Sequence, residues 1–363
     1  MSVPLLLHVY STFAVGGPQV RFAALANRFG REFRHAVVAM DGNLACRERL
    51  QPGLDVVFPP VDIRKGDTLG NRARFRAMLR AMRPDALVTS NWGSIEWAMA
   101  NMPRLVRHLH VEDGFGPEER DRQFPRRVWT RRLLLRRATV AVPSRVLYRI
   151  AAEVWKLPRA RLHYVPNGID LARFAVARRG REVPVIGTVA ALRPEKNLGR
   201  LVRAFAEVRA RMACRLVIAG DGPERAGLAA LAAELGVAGD VAFPGHVSDT
   251  PALYAGFDVF ALSSDTEQMP LSVLEAMGAG LAVAATDVGD VRMMLAPENA
   301  GFVVTREAAA LADAIGTLVA DPARRATLGA ANRRQAEAAF DQEGMFAAWH
   351  ALFQGRAVPE ARA

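Results

Sequence analysis

The sequence predicts an α/β protein made of two Rossmann-like domains, each built around a parallel sheet. Length is the first reason: 363 residues exceed one ordinary core and suit two domains of roughly 150 to 180 residues each. Patterning is the second, because short β-rich apolar runs alternate with helical patterns, and strands separated by helices form parallel sheets. The third is that the alternation occurs twice, on either side of a Pro-Asn-Gly break.

The first set of apolar runs is Leu5 to Tyr10, Arg34 to Met40, Leu54 to Phe58, Asp85 to Ser90, Leu105 to His110, Thr139 to Val142 and Leu162 to Val165. The second is Pro184 to Val189, Arg215 to Gly220, Val241 to Pro244, Val259 to Ser264, Leu281 to Thr286 and Gly301 to Thr305. Between them lies VPNGID, Val165 to Asp170, followed by the polar stretch Ala177 to Glu182. Proline fixes φ and Asn-Gly accepts left-handed turns, so the chain changes domain here, with a hinge near residues 166 to 182. After residue 340, Phe340, Met345, Phe346, Trp349 and Phe353 fall at helical spacing, and so aromatic a helix needs a surface to bury against. The expected division is residues 1–175, residues 176–341, and a C-terminal helix over 342–363 that returns to the first domain.

Composition narrows the class. Apolar residues make up 51% of the chain against 23% charged, which excludes a mainly disordered protein. Cys46 and Cys214 stand far apart with no partner at ligand spacing, so neither a disulfide framework nor a structural zinc is expected. The first residues lack a basic region before their short apolar run, and no later stretch approaches the roughly 20 apolar residues of a spanning helix. A cytoplasmic protein is the expectation. The net charge of +11 comes mostly from arginine and suggests an anionic partner. Its densest run, Arg126 to Arg137 (RRVWTRRLLLRR), has two readings: an amphipathic helix lying on the inner face of an anionic membrane, or a core-facing helix with solvated arginines.

In open parallel sheets, ligands bind beyond the carboxyl ends of the strands, where loops feed helix N-termini. The most informative such loop runs from Ser263 to Gly280. It leaves a strand, turns through Glu267 and Gln268, and starts a helix at Pro270, with Glu275 more than a turn inside. The amides of Met269, Pro270's neighbour Leu271, and Ser272 then face a bound anion, which suits a pyrophosphate. The two carboxylates meet different parts of one elongated ligand, one holding a sugar and the other a ribose. By themselves they equally describe a capping Glu267 and a solvated Glu275.

The wider pattern resembles the retaining glycosyltransferases of family 4, which have the GT-B fold of two facing Rossmann-like domains. Glu267 to Glu275 matches that family's E-x7-E motif, and VPNGID, IGTVAALRPEKN (Ile186 to Asn197), LVIAGDGP (Leu216 to Pro223), FPGHV (Phe243 to Val247), YAGFD (Tyr254 to Asp258) and DVG (Asp287 to Gly289) follow in family order. The resemblance implies a first domain that takes the acceptor and a second that takes the nucleotide sugar. It assigns Glu267 to the sugar, Glu275 to the ribose, and Lys196 to the donor phosphates. Where the family has an arginine this chain has Ala191; Arg193, two residues on, falls on the same face if the segment is extended and is then the candidate to supply that cation. It also places His110 close to the transferred sugar, with His108 its same-face neighbour on the strand and Glu112 and Asp113 available to acceptor hydroxyls. Gly16 and Gly17, after the first strand, let backbone approach a donor phosphate or the acceptor; they form neither G-x-G-x-x-G nor a P-loop.

The expected activity is retaining, hexosyltransferase-type transfer from a UDP- or GDP-linked sugar to a glycan, glycolipid or lipid-linked acceptor, as in polysaccharide biosynthesis. No cofactor beyond the nucleotide sugar and no metal is expected, because Lys196 and a helix N-terminus replace the ion that Asp265-Thr266-Glu267 would otherwise suggest. The rivals are a sugar-nucleotide epimerase or hydrolase on the same fold, and a basic nucleic-acid-binding protein. Against the latter, aromatics are only 7% of the chain and are not interleaved with the arginines on one module.

Overall fold

The computed structural model describes residues 3–119, 122–176 and 181–358. Residues 177–180 of the expected hinge and 359–363 of the expected C-terminal helix lie outside the described residues. The chain divides into two compact units, residues 1–166 with 343–361, and residues 167–342.

The first unit carries β1 (Leu5–Tyr10), β2 (Arg34–Ala39), β3 (Val56–Val57), β4 (Ala86–Ser90), β5 (Arg107–Val111), β6 (Thr139–Val142) and β7 (Leu162–Tyr164). They form one sheet in the order β3-β2-β1-β4-β5-β6-β7, parallel throughout. Helices cover both faces, which is why the strands read as nearly continuous apolar runs. On one face Leu7, Val9 and Leu87 pack with Phe75, Leu79 and Trp97. On the other, Leu6, Val88 and Leu109 meet Phe29, Phe33 and the C-terminal helix Gln342–Gln354, which buries Phe346, Trp349 and Phe353 there. That aromatic helix does return to the first unit.

The second unit carries β8 (Val185–Val189), β9 (Arg215–Ala219), β10 (Val241–Gly245), β11 (Val259–Leu262), β12 (Ala282–Thr286) and β13 (Val303–Val304). Their order is β10-β9-β8-β11-β12-β13, again parallel. The small residues of β12, Ala282, Ala284 and Ala285, are fully buried and let helices approach both faces closely.

Two local expectations shift. The fifth strand starts at Arg107 rather than Leu105, because the Asn101 side-chain oxygen accepts the amides of Leu105 and Val106 and holds them in a turn. It also continues to Val111, which pairs with Ser90 and Ala141, so His110 sits within the strand. The helix after β11 spans Leu271–Gly278, with Pro270 extended just before it (φ −69°, ψ 124°). Pro270 is thus the capping residue, and its carbonyl accepts from Val273 and Leu274. No helix among the described residues is long and apolar enough to cross a membrane.

Candidate active site

In the second unit the strand order reverses between β8 and β11. Loops leaving these adjacent strands turn to opposite sides and leave a crevice between them, the usual ligand position in such sheets. Lys196 comes from the β8 loop and Glu267 from the β11 loop. Lys196 Nζ lies 2.6 Å from Glu267 Oε1, and Ser264 Oγ donates to the same oxygen at 2.8 Å. Both side chains are largely buried.

The two loops are stitched together beneath this pair. Arg200 donates to the Ser263 carbonyl and to Asp265 Oδ1, each at 2.6 Å, and Asn197 Nδ2 lies 3.2 Å from both Asp265 oxygens. The Asp265 amide donates to the Glu195 carbonyl at 2.9 Å, and Ser263 Oγ donates to the Lys196 carbonyl at 3.0 Å. Asn197 adopts a left-handed conformation (φ 40°) while its side chain caps the helix Leu198–Arg209, a dual role suited to asparagine. Asp265 is therefore committed to Arg200 and Asn197, which leaves Asp265-Thr266-Glu267 no free pair of carboxylates.

The helix Leu271–Gly278 begins next to Glu267, and its first amides have no acceptor within the helix. Met269 is anchored by Asn167, whose Nδ2 donates to the Met269 carbonyl at 3.1 Å; this is what the asparagine of VPNGID does in the second unit. Gln268 accepts the Asp290 amide on its carbonyl at 2.9 Å. Between them Gly289 has φ +53°, and a β-carbon there would lie 2.3 Å from the Glu267 carbonyl oxygen and 2.7 Å from that of Gln268. Only glycine lets these segments meet. Leu271 and Ser272 are partly buried, and the Ser272 carbonyl accepts from the Tyr254 hydroxyl at 3.1 Å.

The single proton of that hydroxyl is shared with Glu275 Oε2, which lies closer, at 2.8 Å. Burial raises the Glu275 carboxyl above its ordinary range, while the Tyr254 hydroxyl and the charge of Arg173 act the other way. Lysine and helix amides thus stand beside the crevice, and the tyrosine-held carboxyl of Glu275 lies farther along the same helix. A diphosphate suits the first and vicinal hydroxyls the second. Arg193 is exposed, just before the short turn Pro194–Lys196, and Ala191 is exposed beside it.

In the first unit, Gly16 precedes and Gly17 begins the helix Gly17–Phe29; Gly16 is extended, with no left-handed strain. His110 and Glu112 are fully buried. Thr89 Oγ1 lies 2.8 Å from both His110 Nδ1 and His108 Nε2, and His110 Nε2 lies 3.6 Å from Glu112 Oε2. Asp113 is gripped by Arg21 through two contacts of 2.7 and 2.8 Å.

The arginine run does not consist of solvated arginines alone. The helix Pro125–Leu135 turns Arg131 and Leu135 inward, and Arg131 reaches Glu112 at 3.2 Å and Glu119 at 3.1 Å within an aromatic box of Trp155, Trp92 and Phe115. Burial alone would raise the Glu119 carboxyl, but Arg131 and Arg127 outweigh it and hold it below its usual range. The outward side leaves Trp129 66% and Leu133 71% exposed, among the exposed Arg126, Arg132, Arg136 and Arg137.

Several residues that build the site had no individual role in the sequence reading: Tyr254, Arg200, Asn167, Thr89 and Arg131. Arg131 carried a usable signal. Val128, Arg131 and Leu135 share one helical face, so a cation on that stripe needs a buried acid.

The whole chain has the GT-B fold. It superposes on a glycosyltransferase from Rickettsia africae ESF-5 with a TM-score of 0.79 at 15% identity, covering 98% of this chain and 99% of that one. On Anabaena HepE, solved with UDP-glucose, the TM-score is 0.81 at 19% identity, with 97% and 99% covered. The description "Glycosyltransferase Family 4" matches residues 15–173 and "Glycosyl transferases group 1" matches residues 173–335. The chain belongs to glycosyltransferase family 4. Among curated relatives, it is 34% identical over 200 residues to the GDP-mannose-dependent alpha-(1-6)-phosphatidylinositol monomannoside mannosyltransferase of Mycolicibacterium smegmatis, spanning 49% of this chain and 52% of that relative. It is 33% identical over 204 residues to the D-inositol 3-phosphate glycosyltransferase of Salinispora tropica, spanning 48% and 42%. The chain thus aligns with only about half the length of these relatives.

Because Gly289 has no room for a side chain, Gly289→Ala should lower stability by about 2 kcal/mol. Gly301→Ala, where a β-carbon meets nothing within 4 Å, should be near neutral. Urea unfolding of the two variants checks this, and equal stability would contradict it.

Proposed function

We propose that this chain is a retaining glycosyltransferase that moves a sugar from a GDP- or UDP-linked donor to a glycan, glycolipid or lipid-linked acceptor. The observation that carries the reading is the pairing of Lys196 and Glu267 at 2.6 Å beside the N-terminus of the helix Leu271–Gly278, with Glu275 farther along the same helix. The donor diphosphate takes Lys196 and the amides around Met269 to Ser272. Glu267 then turns to the sugar, and Glu275 takes the ribose hydroxyls. Gln268 and Pro270 shape the loop between them, and Arg193 adds positive charge at the crevice mouth in place of the absent arginine at Ala191.

The acceptor oxygen forms its bond to the anomeric carbon on the face from which the diphosphate departs. As the carbon–oxygen bond to the diphosphate breaks, the acceptor proton passes to a donor phosphate oxygen. The charge that builds on the leaving group meets a lysine already desolvated and oriented, which is where preorganised electrostatics lowers a barrier most. No metal is needed for that step on this reading. His110 and Glu112 serve the sugar and acceptor side, and Gly16 and Gly17 let backbone approach the substrate after β1; Asp113 acts through its pair with Arg21. The chain's GDP-mannose-dependent relatives make GDP-mannose the first donor to test.

The outward face of the helix Pro125–Leu135 supports contact with an anionic membrane, because an amphipathic tryptophan and a leucine stand exposed among arginines with no acid on the helix. Such a surface suits a lipid-linked acceptor.

With the donor the wild type consumes, Glu267→Ala and Lys196→Ala should each reduce turnover by about a hundredfold or more, and near-normal rates in either would overturn this site. In flotation assays the chain should rise with phosphatidylglycerol-containing liposomes, and a Trp129→Ala, Leu133→Ala double variant should stay behind. Equal flotation of the two proteins, or none of the wild type, would remove the membrane contact.

A further inference from the structure

Four buried polar atoms in the first unit, His35 Nε2, His110 Nε2, Glu112 Oε1 and Trp349 Nε1, stand without hydrogen-bond partners among the described residues, and only His110 and Glu112 among them are neighbours in one ion-pair network. An orphaned buried donor or acceptor is costly and marks a place where another group binds. His110 Nε2 and Glu112 Oε2 lie 3.6 Å apart.

The chemistry of Thr89 decides which of them donates. Its hydroxyl has one proton, yet Oγ1 lies 2.8 Å from both His108 Nε2 and His110 Nδ1. It can donate to only one of them, and with one imidazole donating to Oγ1 and the other accepting from it the hydroxyl proton and both ring nitrogens are paired. If His110 accepted at Nδ1 it would carry its proton on Nε2, facing the Glu112 carboxylate. In the reverse arrangement a bare Nε2 lone pair would face that carboxylate, which is repulsive. The first arrangement is favoured, and it makes His108 the donor at Nε2. His108 is neutral in this setting, with burial, His110 and Arg104 pushing it down to about 3, as the chain of bonds requires.

The Glu112 side is set by Arg131. Its Nε holds Glu112 Oε2 at 3.2 Å, while its two terminal nitrogens grip Glu119. The guanidinium is fully buried and fixed by three aromatic rings, so it orients one Glu112 oxygen and leaves the other available. Lysine cannot reproduce this fork.

We propose that Thr89 and Arg131 are positioning residues that preset a hydroxyl-binding pair, with His110 Nε2–H donating to a substrate hydroxyl and Glu112 Oε1 accepting from it. A hydroxyl, which accepts and donates at a single oxygen, satisfies both atoms at once. The hydroxyl belongs to the donor sugar or to the acceptor, and the assignment of substrate rests on the glycosyltransferase reading above. The internal geometry does not depend on that reading.

Two measurements on the full chain keep the inferences separate. With nitrogen-15 in the histidine rings, and His110 assigned by signal loss in His110→Gln, wild type should show His110 as the Nε2–H tautomer with a hydrogen-bonded Nδ1. Thr89→Val should move Nδ1 to the shift of an unbonded nitrogen, and Thr89→Ser should restore it. An Nδ1–H tautomer in wild type, or no response to Thr89→Val, overturns the proposal. In the second measurement, Thr89→Val and Arg131→Lys should lower turnover about tenfold or more, with nucleoside diphosphate affinity by calorimetry unchanged. A loss seen in hydrolysis of GDP-mannose or UDP-glucose without acceptor assigns the hydroxyl to the donor sugar. A loss confined to transfer onto octyl mannoside assigns it to the acceptor. Wild-type rates in both folded variants overturn the proposal, whereas a wild type that consumes neither donor overturns only the glycosyltransferase reading.

Discussion

The contact between Lys196 and Glu267 is the constraint around which the second unit is organised. It exists because β8 and β11 are adjacent in space although far apart in sequence, so two loops leave the sheet side by side. Each charge makes the other tolerable in a partly buried crevice, where an isolated ion would be costly. The surrounding bonds serve this one contact. Arg200 and Asn197 absorb Asp265, Asn167 anchors Met269, and Gly289 lets a third segment close over the Glu267 backbone. On the proposed reading, the cost of ordering and desolvating Lys196 has been met before a diphosphate arrives, so its binding exchanges one anion for another with little rearrangement.

The first unit manages charge by a parallel device with a different result. Arg21 and Arg131 are buried, and each is matched to acids from another segment: Asp113 for the first, Glu112 and Glu119 for the second. Removing one partner of such a pair leaves an uncompensated buried charge, typically about 3 to 5 kcal/mol. The helix Pro125–Leu135 consequently does two things. Its inner side locks Arg131 against the strand that carries His110, and its outer side presents Trp129 and Leu133 to solvent. A single dense run of arginines thus contains a buried structural cation and, on the proposed reading, the face that meets an anionic membrane.

Much of this was legible in the sequence because its causes are local. All thirteen strands among the described residues coincide with apolar runs, since a parallel sheet covered on both faces requires continuous apolar segments whatever lies around them. The Pro-led helix and the positions of Glu267 and Glu275 relative to it follow from turn and capping chemistry. Long-range partners were not legible. Nothing near Glu275 announces Tyr254, and nothing near Lys196 states that it faces Glu267, because both pairings arise from strand order. Asp113 and Glu112 looked like free acids for the same reason; the arginines that claim them lie on other elements. The start of β5 was misplaced because a single side chain, Asn101, withdraws two apolar residues from the strand.

The direct test of this account is calorimetric titration of Glu267→Gln with GDP and with UDP. Neutralising Glu267 frees Lys196 without removing any group assigned to the diphosphate. The account predicts that the nucleotide bound by wild type binds the variant at least as tightly. Distinctly weaker binding would contradict it, because Glu267 would then be holding the nucleotide site together rather than sharing its lysine with the donor.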